Sequence, residues 1–458
     1  MNYKKLSLSM VAALSITSLN AYEMKSMGYK ATGLGGAGVA SSRGSLATYY
    51  NPALLGISDY TTEISLNVGA AVRENGLIEA VDDLNELGLT DSLDAIEDIT
   101  STNYESMTSS QKSAFDKVES AIDILNRIPN SNGVEVSPSV SLATQISRYF
   151  GIGVYSSAEI RVNMNFAQDD NGNKKLGLIF DTDAGYIEYT NGTIKESDQT
   201  SYDTLSLQGG IDNNLTTINV NTMITAEVPL SFAVPFEMRN GTLSFGITGK
   251  AMAVEIFSKN FAIDSDTEEL TDDYEENKKT YSAVGVDLGV AYKEHKTGLT
   301  LGLVGKNINN PSFETEPDNS GNVETFELEP FFRAGLSLPV WNDNIEFAID
   351  ADLQQSDTSY EGMKSQYVGG GMEFHPASWF ALRAGLMKNV ATESINEGFI
   401  YTAGFGFGLK WLQLDASVQM SQETGTFEDE EIPKYVAANI SFISRWGDGY
   451  NRKVPPAE

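Results

Sequence analysis

The 458-residue sequence has no cysteine, so neither a disulfide nor thiol redox chemistry is open to it. Histidine is nearly absent as well. The only two are His295, in the short segment Lys293–Thr297, and His375, beside Pro376. Neither stands in a Gly-x-Ser-x-Gly pattern, so no nucleophile with its base is visible, and the sequence is not expected to be an enzyme. Positive charge is scarce: 31 Lys and Arg face 63 Asp and Glu, for a net charge of −32. Phosphate backbones need basic patches, which excludes nucleic acid as a direct ligand. Finally, no internal apolar run approaches the roughly 18–20 residues of a spanning helix. If the chain lives in a membrane, it must cross it with strands.

At the amino end Lys4 and Lys5 precede an apolar stretch, Leu6–Leu19, and a small-residue site at Asn20-Ala21. This reads as a cleaved signal peptide over residues 1–21. In Thr32–Val39 five of eight residues are Gly or Ala, which lets backbone pack on backbone. The run Tyr49–Ala53 closes this segment, with Pro52 biasing Asn51 toward an extended conformation. Residues 22–56 are therefore expected to fill a confined space as a plug.

Long alternating segments follow. In Ile345–Leu353 the residues Ile345, Phe347, Ile349, Ala351 and Leu353 alternate with Glu346, Ala348, Asp350 and Asp352, and Leu412–Ser421 repeats the pattern. One face suits lipid and the other a polar lumen. Thr61–Arg73, Ser139–Gln145, Gly151–Asn165, Asn219–Phe236, Thr242–Phe257, Thr280–Tyr292, Gly298–Ile308, Glu329–Trp341, Gln366–Phe374, Trp379–Lys388, Phe399–Lys410 and Lys434–Phe442 read the same way. The total is about fourteen, even as a closed antiparallel barrel requires. A β-sandwich would need very large open sheets, and a solenoid would show a fixed repeat that is absent. The expected class is all-β: an antiparallel transmembrane barrel over residues 57–446, followed by a tail at 447–458. Tyr292, Trp341, Trp379, Phe380, Trp411 and Trp446 fit aromatic girdles at two interfaces. Short connections such as Arg148-Tyr149 and Asn342–Asn344 should lie at one end, and long polar loops such as Asn165–Thr204 at the other.

Within residues 74–130 the period changes to helical. Leu77, Val81 and Leu84 share one face; Phe115, Val118, Ile122 and Leu125 share another, behind a capping box of Thr108 and Gln111. Helices over one mouth are expected, with Val81, Leu84, Phe115, Val118 and Ile122 offering an outer hydrophobic capture site or a small closed core. The acidic runs Asp169–Asn173 and Asp264–Glu276 lack calcium-loop spacing, and Gly33–Gly38 lacks the strand–helix context of a nucleotide loop. No metal or cofactor is expected.

The run Gly35–Ala40 and the motif Tyr50–Leu54 resemble the amino-terminal plug of the long-chain fatty-acid transporter (FadL-like) superfamily of outer-membrane barrels. They resemble most closely its conjugal-transfer TraF-like subgroup, which also carries a helical insertion after the first strand. A thioredoxin-like protein shares the TraF name, but its chemistry needs cysteine. The resemblance implies a Gram-negative outer-membrane location among outer-membrane lipid, insertion by the barrel-assembly machinery, and passive uptake of a hydrophobic small-molecule ligand through a plugged channel. A structural or assembly role with a conjugation-system partner is the alternative. The plug residues implied are Gly35, Gly36, Gly38, Asn51, Pro52 and Ala53.

Overall fold

The computed structural model describes residues 23–446 except 60–61, 264, 266–272, 275, 315–324, 361, 410 and 429. The expected signal peptide and carboxy-terminal tail lie outside the described residues, as does most of Asp264–Glu276.

Fourteen strands close into one antiparallel barrel, each bonded to its neighbours in chain order. They are β1 (Thr62–Asn75), β2 (Gly133–Ser147), β3 (Phe150–Asn165), β4 (Thr217–Met238) and β5 (Gly241–Phe261). Then come β6 (Lys279–Glu294), β7 (Thr300–Lys306), β8 (Phe331–Val340), β9 (Ile345–Asp352) and β10 (Tyr367–Ala377). The last four are β11 (Phe380–Asn389), β12 (Ile400–Leu409), β13 (Leu412–Ser421) and β14 (Tyr435–Trp446). The seam closes from Thr62 opposite Trp446 to Arg73 opposite Tyr435. All fourteen expected strands are present. The seventh stops at Lys306, short of the expected Ile308, because Asn307 turns into the left-handed region at φ 53°. Beyond it the Asn309 side chain takes the place of a strand, accepting from the Val286 amide at 2.8 Å and donating to the Val284 carbonyl at 2.7 Å.

The alternation resolves as expected. Phe347 and Ile349 are about half exposed on the outside, while Ala348 between them and Asp350 and Asp352 beyond them are buried toward the lumen. Val418 and Met420 point out; Ser417 and Gln419 point in. An apolar exterior with a polar interior is the signature of a strand-built membrane span, and among the described residues no helix is long and apolar enough to cross.

The connections segregate. Every second one is a short turn, and Trp341, Trp379, Trp411 and Trp446 all lie at that end. The six aromatics expected to mark two interfaces thus mark one; Phe332, Phe399 and Tyr401 stand exposed at the opposite rim. At the long-loop end a cap is built from two insertions. The first contributes helices Ile78–Leu87, Leu89–Glu97 and Ser109–Arg127, the last opened by the Thr108–Gln111 capping box. The second, read from sequence as a polar loop, carries a three-stranded sheet (Ile179–Thr182, Gly185–Thr190, Thr193–Glu196) and two short helices.

Candidate functional site

Almost every described residue of the segment between Met24 and Ile57 is buried, because this segment fills the barrel lumen. Asn51 is its pivot. Its backbone is extended (φ −163°, ψ 108°), as the following proline requires, and Pro52 opens the 3-10 helix Pro52–Ile57. The Asn51 side-chain oxygen caps that helix by accepting from the Ala53 amide at 3.1 Å. Its amide nitrogen donates to Val39 O at 3.1 Å within the plug and to Val290 O at 3.2 Å in the wall. One side chain therefore ties two plug turns to β6.

The wall yields where the plug presses on it. A Cβ on Gly246 would stand 2.2 Å from the Ala53 nitrogen, and one on Gly302 would stand 2.4 Å from the Val39 carbonyl oxygen. At the other end of the plug, Gly35 (φ 63°) lies against Gly369, Gly370 and Gly385 so closely that a Cβ on Gly369 would meet Gly35 O at 2.1 Å. Gly404 and Gly406 make room instead for Ser417 and Asp415 on the adjacent strand. Gly36 turns at φ 81°, and Gly38 leaves room for the Tyr50 ring, whose nearest atom would lie 2.4 Å from an added Cβ.

Wall carboxylates hold the plug's free amides. Asp350 accepts from Gly38 N at 2.7 Å and Val39 N at 2.8 Å. Glu63 accepts from the Ser45 amide and hydroxyl, both at 2.8 Å, and is itself paired with Arg445 at 2.6 Å. Lys30 reaches Glu346 at 2.8 Å. Charge-assisted bonds of this kind are about twice as strong as neutral ones. Nearer the long-loop end, Lys25 Nζ lies between Glu135 (2.8 Å) and Glu159 (2.9 Å). Burial disfavours the Lys25 charge, but these two carboxylates outweigh it and hold its pKa above the usual lysine value. Beside Lys25 the plug and wall leave a cavity of about 110 Å³.

A plug wedged by Asn51, Pro52 and Ala53 into a fourteen-stranded barrel coincides with a sequence match. Residues 48–353 match the family described as "F plasmid transfer operon, TraF, protein". The chain belongs to this family. No curated protein matches the sequence. Among solved structures the TraF-family barrel is similar to the CymD monoaromatic hydrocarbon channel, at 12% identity and a TM-score of 0.49, covering 94% of this chain and 100% of that one. It is also similar to the Ralstonia pickettii toluene transporter TbuX (11% identity, TM-score 0.45, 93% and 100% covered). A third is a Pseudomonas aeruginosa FadL homologue (11%, 0.41, 94% and 98%).

In this TraF-family chain the five residues expected at an outer capture site do not share an open groove. Phe115 and Val118 are fully buried against Phe180, Ile187 and Tyr189 of the cap sheet, with the Phe115 and Tyr189 rings stacked at 4.5 Å. Leu84 is buried in a second cluster with Leu125 and Phe166, and Val81 and Ile122 pack at its edge. The second insertion closes both helical faces. The Asp169 carboxylate accepts from the amides of Asn171 and Asn173 and from the Asn173 side chain, so its loop is self-satisfied. Those bonds, Asn173's first, hold its pKa below the usual value. His375, beside Pro376, bonds Glu373 at 2.7 Å, next to Arg383 and Asp415 in the lumen. The signal for these lumen charges was present in the polar face of each strand.

Proposed function

We propose that the protein is a plugged channel in the outer membrane of a Gram-negative bacterium, admitting hydrophobic or amphipathic small molecules passively when the plug shifts. The observation that carries this reading is the plug itself. It is anchored to the wall by discrete polar contacts at Asn51, Asp350 and Glu63 rather than by a continuous strand, so it can move without unzipping the barrel. The long-loop end then faces outward with its cap. Because the cap's apolar faces are closed, capture is assigned to the cavity beside Lys25 rather than to Val81, Leu84, Phe115, Val118 and Ile122.

The test is uptake of labelled toluene into liposomes holding the refolded barrel, intact and with residues 22–55 removed. Uptake that is saturable in the intact protein and unrestrained without the plug supports the channel. A folded barrel that moves nothing in either form overturns it. A second reading, a structural component of conjugative transfer, is favoured by the family match and by the folded cap, whose sheet and helices give a surface for a partner. Deleting the cap would then abolish mating while leaving uptake intact.

A further inference from the structure

The cavity beside Lys25 is bounded by the plug and by the lumen faces of β1, β2, β3, β4 and β14. Its volume, about 110 Å³, is of the same order as the roughly 150 Å³ of an apolar cavity that holds benzene, which limits a ligand to no more than one ring or a short chain. Unlike that cavity it is lined by both apolar residues, Met27, Met223 and Leu328 among them, and polar ones such as Ser157 and Thr225. A ligand must match both.

Its charged lining is one-sided. Among the described residues that line it, Lys25 is the only lysine or arginine. An ammonium group has three N–H donors. Those of Lys25 face Glu135 at 2.8 Å, Ser137 Oγ at 2.8 Å and Glu159 at 2.9 Å, leaving none for an incoming anion. The lining carboxylates are less occupied. Glu227 meets Lys250 at 3.3 Å and Glu159 meets Lys25, whereas a carboxylate can accept about four hydrogen bonds. Among the described residues the buried hydroxyl of Thr32, which also lines the cavity, has no partner. The site is rich in acceptors and has no cationic donor to give.

We infer that this cavity binds small amphiphiles with an apolar body and a donor-bearing head, amines above all, and rejects carboxylates. The inference rests on the channel reading for its purpose but not for its test. Bind benzylamine, benzyl alcohol, toluene and benzoate to the intact protein in detergent, by calorimetry or ligand-observed NMR. Benzylamine is expected to bind at least tenfold tighter than benzoate. Glu227→Gln should reduce that ratio severalfold and leave benzyl alcohol unchanged. Ser157→Leu, which fills the cavity from β3, should abolish binding of all of them while the barrel keeps its heat-modifiable mobility on gels. Benzoate binding as well as benzylamine, or benzylamine binding that survives Ser157→Leu, overturns the inference. Should Glu227→Gln fail to fold, those two results still decide it. Binding in detergent requires no passage. A protein that discriminates these probes but moves no solute in liposomes loses the channel reading alone, and one that moves toluene without discriminating loses this inference alone.

Discussion

The side-chain oxygen of Asn51 occupies the space that a methyl group on Gly289 would need: a Cβ there would stand 2.0 Å from it. The plug's principal wedge and the wall of β6 are thus fitted to each other atom against atom. Gly289→Ala should push the wedge off its seat at a cost of roughly 1–3 kcal/mol, typical of overpacking. Gly249, whose added Cβ meets nothing within 4 Å among the described residues, is the matched control. In planar bilayers Gly289→Ala should raise the frequency of open-channel events and Gly249→Ala should not. Equal behaviour would mean that the wedge does not hold the lumen shut.

Asp350 should act as the plug's second anchor. Asp350→Ala leaves the buried amides of Gly38 and Val39 without a partner, at roughly 1–3 kcal/mol each. Hydrogen exchange at those two amides should accelerate at least tenfold. The barrel strands away from β9 should keep their protection.

The exterior assignment predicts a depth gradient along β13. Val418, near the middle of the strand and about half exposed, faces lipid. Val418→Arg should destabilise the barrel by roughly 2–4 kcal/mol, and Leu412→Arg, at the strand's first residue, by roughly 0–1. Refolding titrations in bilayers that gave the same value at both positions would contradict the placement.

The cap should melt separately from the barrel. Phe115→Ala removes a fully buried ring stacked on Tyr189, for roughly 3–5 kcal/mol of local stability. Proteases should then cut within residues 76–132 and 166–216 while the heat-modifiable barrel band is unchanged. Loss of that band would show that the cap supports the barrel.

The strands were legible because lipid outside and polar lumen inside impose a period of two that few other solvents demand, as in Ile345–Asp352. The plug was legible in its glycines and in the Asn51-Pro52-Ala53 run. What each of these touches was not, since Asn51 meets Val290 and Gly289 only after the barrel has closed. The lumen ion pairs were hidden for the same reason. Arg73 and Glu397 are 324 positions apart and pair at 2.6 Å through folding alone. The cap sheet is not legible because its strands, as short as Ile179–Thr182, sit among Asp, Asn and Gly that read as loop. Without that sheet, nothing in the sequence covers the helical faces that carry Phe115 and Leu84.

All four tryptophans stand at the rim of short turns, which makes the protein's own ultraviolet emission a one-sided depth gauge. A water-soluble quencher outside sealed vesicles would dim the emission only of barrels reconstituted with that rim outward. The fraction dimmed would give the orientation in the vesicle wall, with no label attached.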